Sequence, residues 1–302
     1  MLLKKKEPSV ELEKMILLRN RLSTTHPTYP KLNRDIQQIT AGDFGEEIVA
    51  KFIQAYNHPT KAYILHDLLL ASNSDFQLDH VLVTNSCIII VETKHIKGDI
   101  HIHDRPAHMT RQIDTGPIER FESPVMQLNR SILFLSDWLI ERGVDIPVKG
   151  ILVFSHADAL VTSDSSDHLI TKPKYVSMKL REIRIEKASL TSLQTKQLAT
   201  AIMTSHKIYE NKYFQSQYPY KKEDLQTGVQ CQKCARFGME KRRQTWMCEC
   251  GHRDKNAHLS AMKDYQLLLG KLPNTESIMD FLQVPSRYVA RRIMKKYSLS
   301  ES

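Results

Sequence analysis

The residues best suited to chemistry lie in "FQLDHVLVTNSCIIIVETKH", residues 76–95. Two apolar runs stand side by side, and each carries charge where a buried strand would not. Asp79 opens the first run; Glu92 and Lys94 close the second. Strand side chains alternate between faces, so Glu92 and Lys94 share one and Thr93 takes the other. A short hairpin through "TNS" brings Asp79 to the neighbouring strand. Two carboxylates and an ammonium then converge at one sheet edge. Without partners such carboxylates cost several kcal/mol to bury. A divalent cation removes that cost, and hard oxygen donors suit Mg²⁺ or Mn²⁺. Such an ion activates water and steadies charge on a phosphodiester, and a nearby lysine adds a point charge or orients the water.

The elements that must position these groups follow from periodicity. Residues 8–24 read as a helix, then a loop with two prolines. "TAGDFGEEIVAKFIQAY" (40–56) reads as a second helix, with Val49, Phe52, Ile53 and Tyr56 on one face. Glu46 lies about 20° from Ile53 on the helical wheel and so aims inward, whereas Glu47 falls on the far side. Residues 61–70, the two strands of the hairpin and "GDIHIH" predict four strands of a mixed or antiparallel sheet. Residues 123–143 predict a helix, with Ser123 as N-cap, Pro124 in the first turn and Gly143 at the end. On it Gln127 shares a stripe with Ser131, Phe134 and Trp138. "VKGILVFS" (148–155) predicts another strand, and residues 186–210 a helix.

"GDFGEE", "QLDHVLV", "IIIVETKHIKGDI" and "SPVMQLNR" stand in the order and spacing of the NERD (nuclease-related) domain, which the chain resembles over roughly residues 40–155. That family is assigned to the restriction-endonuclease-like PD-(D/E)xK nucleases. The resemblance implies an α/β fold with an αβββαβ core and a metal-dependent nuclease site made by Glu46, Asp79, Glu92 and Lys94. Gln127 matches the polar helix residue of related nucleases. "LDH" stands where members usually have "IDH", an apolar-for-apolar change. His80 faces away from Asp79 and reads as a structural residue or a support to the site.

Four of the five cysteines, Cys231, Cys234, Cys248 and Cys250, fall within twenty residues. Such clustering points to metal. A structural Zn²⁺ takes four thiolates, or three and a histidine. The second knuckle is one residue short of C-x2-C, so His252 stands as an alternative to one of the last pair. Cys87 reads as a small core residue.

The net charge is +9, and residues 206–302 hold 18 Lys and Arg against 10 Asp and Glu, nearly all of the excess. A basic segment on a near-neutral body fits a nucleic-acid partner, DNA before RNA. "NTESIMDFLQVPSRYVARRIMKKY" (274–297) reads as helix-turn-helix-like. Its second helix sets Arg287, Arg291, Arg292, Lys295 and Lys296 around a stripe of Val289, Ile293 and Tyr297. An amphipathic pair closing a small core is the alternative. His101 and His103 read as a solvated face, with no acid placed nearby.

The expected organisation is an N-terminal helical extension (1–39), a nuclease-like domain (40–210), a linker (211–228), a zinc-ribbon-like segment (229–256) and a helical region (257–302). No apolar run reaches the roughly 18–20 residues needed to span a bilayer. The first residues lack the apolar stretch of a secretory signal, so a cytoplasmic location without membrane is expected. The function expected is a metal-dependent DNA nuclease, with Mg²⁺ or Mn²⁺ at its centre and structural Zn²⁺. The alternative is a nucleic-acid-binding module that does not cut.

Overall fold

A computed structural model describes residues 1–55, 61–72, 74–165, 169–183, 188–209, 211–270 and 274–298. The chain divides into two compact units: residues 1–7 with 38–209, and residues 8–37 with 210–302. It starts with a short strand β1 (Leu2–Lys4), helix α1 (Val10–Arg21) and helix α2 (Tyr29–Ala55). The division falls inside α2. That helix begins eleven residues before the expected start at Thr40, because Pro30 occupies its first turn, where its missing N–H costs nothing.

In the first unit α2 leads into β2 (Tyr63–Ala71), β3 (Asp75–Val83) and β4 (Ile88–Lys94). Next come β5 (Gly98–Asp104), β6 (Ala107–Gln112) and β7 (Glu119–Glu122), then helix α3 (Pro124–Ile140). Strands β8 (Val148–Phe154), β9 (Ala159–Ser163) and β10 (Ile170–Thr171) and helices α4 (Val176–Glu182) and α5 (Ser192–Thr204) complete it. The main sheet has the order β1-β2-β3-β4-β8-β10. Strand β3 pairs antiparallel with β2 and β4, while β4 and β8 run parallel. A parallel pair needs a crossover, which α3 supplies.

Strand β4 is buried on both faces, which explains its unbroken apolar run. Ile88 and Ile90 join a cluster with Leu135 and Trp138 of α3 and Leu198 and Ile202 of α5. Ile89 and Val91 join another with Val49 and Ile53 of α2 and Val176 and Leu180 of α4. Full burial of each such side chain contributes about 1.5–3 kcal/mol. Cys87 is a buried member of the second cluster, as its apolar surroundings suggested.

The structure departs from expectation in several places. "GDIHIH" is not a fourth strand of the main sheet; as β5 it belongs to a second sheet, ordered β7-β6-β5-β9. Phe52 is 42% exposed and does not share the buried face of Val49 and Ile53. Tyr56, placed on that face, lies outside the described residues. The helix read over 186–210 is shorter, being α5, and residues 186, 187 and 210 also lie outside.

The second unit holds α1, the first turns of α2 and the C-terminal third. Helix α6 (Phe214–Gln217) begins that third, followed by short strands β11 (Glu240–Arg242), β12 (Thr245–Met247) and β13 (Arg253–Asp254) in one antiparallel sheet. Helices α7 (Ala257–Leu269), α8 (Thr275–Leu282) and α9 (Arg287–Ser298) follow. Residues 211–228 are no loose linker: Phe214, Tyr218 and Tyr220 are buried. Helix α1 is no free extension either. Arg21, 1% exposed, donates through Nε (2.9 Å) and Nη2 (2.6 Å) to Oδ2 of Asp264 on α7. Its Nη1 donates to the Gln226 carbonyl (2.7 Å), and its guanidinium lies 4.4 Å from the Phe281 ring.

Candidate metal and nucleic-acid sites

Strand pairing brings the acids of the hairpin together. His80 pairs with Val91, and continuing that register sets Asp79 across from Glu92. Directly opposed residues of an antiparallel pair project to one face. Asp79 Oδ2 accepts a hydrogen bond from the Thr93 backbone N–H at 2.8 Å. Glu92 is buried, and its Oε1 accepts from Lys94 Nζ at 2.8 Å. Glu46, its side chain 15% exposed, points inward as its wheel position requires. The residue before it, Gly45, allows the approach: a Cβ there would stand 2.4 Å from the Cβ of His95, which follows Lys94. Glu47, by contrast, is exposed and pairs with Lys51 on its own helix.

Electrostatics mark the place. Burial, then Glu92, then Glu46 push the Asp79 carboxyl well above the ordinary carboxylate range. Burial also raises Glu46, against the pull of Lys6, with Asp43 and Asp67 adding repulsion. Like charges that disturb one another's protonation are common at functional sites and also occur in structural ion networks. Two features were not legible in the sequence. Lys6 Nζ bridges Asp43 and Glu46 at 2.6 Å each, and Asp67, with left-handed backbone (φ 53), adds a further acid.

The oxygen donors fit a hard divalent ion in type, and their mutual repulsion is what such an ion would relieve. Their placement is looser than expected. Among the described residues, Glu46, Asp79 and Glu92 do not form a group whose ligand atoms all lie within 4.8 Å of one another. Lysines now pair with two of the three.

Gln127, half-buried, donates through Nε2 to Glu122 Oε2 at 3.1 Å, beside Arg130, which also pairs with Glu122. Lys94 is close enough to help pull the Glu122 carboxyl down, after Gln127 and Arg130. His80 does face the other way. Its Nδ1 lies 2.8 Å from His66 Nδ1 and its Nε2 3.3 Å from the Thr93 hydroxyl, while Gln54 Nε2 lies 3.0 Å from His66 Nε2. This chain, buried at His66, His80 and Thr93, ties α2, β2, β3 and β4 together.

In the second unit, Cys231, Cys234, Cys248 and Cys250 gather their sulfurs within 4.8 Å. Cys231 and Cys250 Sγ are 3.7 Å apart, Cys234 and Cys248 Sγ 3.5 Å. A tetrahedron with metal–sulfur bonds of about 2.3 Å has edges of about 3.8 Å, so four thiolates here fit Zn²⁺. His252 is outside the group; its carbonyl instead accepts from the Cys248 N–H at 2.9 Å. Gly251, at φ 83, makes the tight turn that the short C-x-C knuckle demands. The Arg236 backbone N–H and side chain draw the Cys234 thiol down to about 6.

The basic residues of this unit surround a cavity of about 270 Å³ lined by Lys241, Arg243, Lys255, Arg292 and Lys296 with His258 at its base. Trp246 Nε1 donates to His258 Nδ1 at 3.1 Å, so the neutral ring carries its proton on Nε2. Among the described residues, that buried Nε2 has no hydrogen-bond partner. On α9, Ile293 and Tyr297 are buried and Val289 is half-buried, which closes a small core as the amphipathic alternative expected. Arg287 pairs with Glu276 at 2.7 Å.

Residues 41–155 match the nuclease-related domain family, NERD. An uncharacterized protein of Bacillus anthracis is 27% identical over 103 residues, which cover 33% of this chain and 47% of that protein. This chain thus aligns with about half the length of that relative. No solved structure matches. No described helix is long and apolar enough to cross a membrane.

Proposed function

We propose that the chain is a metal-dependent nuclease that hydrolyses phosphodiester bonds in DNA. The observation that carries this is Asp79 set across from Glu92, with Lys94 on the same face and Glu46 close enough to disturb Asp79. The order α2, β2, β3, β4, α3, β8 supports a restriction-endonuclease-like αβββαβ core, into which β5–β7 are inserted. Asp79 and Glu92 would hold Mg²⁺ or Mn²⁺, with Glu46 completing the metal's shell or acting through water. The ion would supply Lewis-acid stabilisation of the phosphodiester's developing charge. Lys94 orients the attacking water or meets charge on the phosphate, and Gln127 steadies the polar rim through Glu122. Phe44, 57% exposed beside His95, offers a ring on which a base can stack.

The second unit supports the same reading as a substrate holder. Zn²⁺ on the four cysteines would fix its fold, and the five-cation cavity suits backbone phosphates. The helix-turn-helix-like pair α8–α9 places Arg292 and Lys296 there. These properties suit a nucleic-acid enzyme.

The lysine pairing of Glu46 and Glu92 favours a second reading, a nuclease-like fold that binds nucleic acid without cutting. Incubation with plasmid, linear and single-stranded substrates separates the two. The enzyme reading expects cleavage with Mg²⁺ or Mn²⁺ that chelator abolishes, and Glu92→Ala that binds but does not cut. Wild type that binds yet cuts no DNA or RNA with either ion selects the binding module.

A further inference from the structure

One face of the second sheet carries a ligand set separate from both sites above. His101 and His103 lie two apart on β5 and project together. Strand β9 runs parallel beside β5 and pairs Thr162 with His101, so Asp164, two residues on, arrives beside His103. The acid partner that the sequence did not place is therefore supplied from 61 residues away. His101 Nε2 lies 2.7 Å from Asp164 Oδ1, and His103 Nδ1 lies 3.8 Å from Asp164 Oδ2. One ligand atom from each of the three falls within 4.8 Å of the others.

The ring nitrogens that do not face Asp164 are held by hydroxyls. His101 Nδ1 is 2.7 Å from Thr162 Oγ1, and His103 Nε2 is 3.2 Å from Thr110 Oγ1. Asp164 is oriented too: its Oδ2 accepts from the Asp104 N–H at 3.2 Å, and its own N–H donates to the Ile102 carbonyl at 3.0 Å. Metal-binding histidines are commonly fixed this way, one nitrogen on the ion and the other on an outer partner. A simple surface ion pair would need neither threonine. His101 and His103 are 37% and 31% exposed, so solvent reaches the group.

We propose that His101, His103 and Asp164 form a further metal site for a borderline first-row divalent ion. Two imidazoles and one carboxylate suit Zn²⁺, Co²⁺ or Ni²⁺ over Mg²⁺, and they leave coordination positions open to water or an oxyanion. The site is distinct in donor type from the all-oxygen acids and the all-sulfur cysteines.

The test is equilibrium dialysis of the full chain against Zn²⁺ alone, followed by elemental analysis, with circular dichroism to verify folding. The double variant His101→Ala/His103→Ala should hold one equivalent less than wild type. Asp164→Asn keeps the histidines and should bind that equivalent more weakly. Thr162→Val, which touches no ligand atom facing the ion, should weaken it roughly tenfold. Equal zinc content in wild type and the folded double variant at every free Zn²⁺ concentration overturns the proposal. So does an Asp164→Asn titration that superimposes on wild type.

Discussion

The two units place their proposed metal sites differently in the fold. In the first, carboxylates sit at the end of a sheet whose strand β4 is already buried on both faces. The core is complete without them, and the acids add repulsion. In the second, Cys231 and Cys248 are themselves buried members of a core served by strands of only two or three residues. A fold can hold a repulsive site when the rest is stable, whereas a unit with little sheet must take its stability from the site. The first arrangement suits an ion that comes and goes with substrate, the second an ion that stays.

The largest effect should follow from breaking the second site. Chelation of Zn²⁺, or Cys234→Ser with Cys248→Ser, should remove about 10 kcal/mol of stabilisation. Limited proteolysis would then cut within residues 229–256 while the 41–155 region stays protected. Removing Mg²⁺ should leave both patterns unchanged.

Next is Arg21→Ala, which strands Asp264 in the interior. The cost should be about 3–5 kcal/mol, read as a shift of the second unit's denaturant transition and not the first's. Adding Asp264→Ala should recover part of it.

In the first unit the sign reverses. Asp79→Asn relieves like-charge repulsion and keeps an acceptor for the Thr93 N–H. Without divalent ion it should stabilise that unit by about 1 kcal/mol, and with Mg²⁺ the gain should vanish. The pH dependence has a matching sign. A carboxyl raised in the folded state favours folding fully below its ordinary 3.8, and that contribution is lost as pH rises through the raised value.

The smallest difference concerns histidines, where the units should behave alike. Burial holds both His66 and His258 down to about 4. A depressed group favours folding above its ordinary 6.5, and that contribution is lost as pH falls through about 4. Both transitions should weaken over this acid range in thermal melts, and His66→Gln should flatten the dependence in the first unit alone.

Local patterns were legible and distant pairings were not. Alternation along β3 and β4 was enough to set Asp79, Glu92 and Lys94 on one face and His80 on the other, and wheel position aimed Glu46 inward. The cysteine spacing named the sulfur cluster, though only the Gly251 turn explains how the short knuckle closes. Nothing local announced that Lys6 would meet Glu46, forty residues on, or that Asp164 would meet His101. Arg21 and Asp264 are 243 residues apart, so α1 looked like an extension and residues 211–228 like a linker. Burial of Tyr218 and Tyr220 depends on partners that periodicity does not reveal.

The most direct measurement is Mn²⁺ binding by electron paramagnetic resonance, on wild type, Asp79→Asn and Glu92→Gln, without nucleic acid and with the non-cleaved phosphorothioate substrate. Wild type should sequester an ion that both variants release, with binding tightened by the substrate. If all three chains take up the same Mn²⁺ in both conditions, the hairpin acids are not a metal centre and the nuclease account fails.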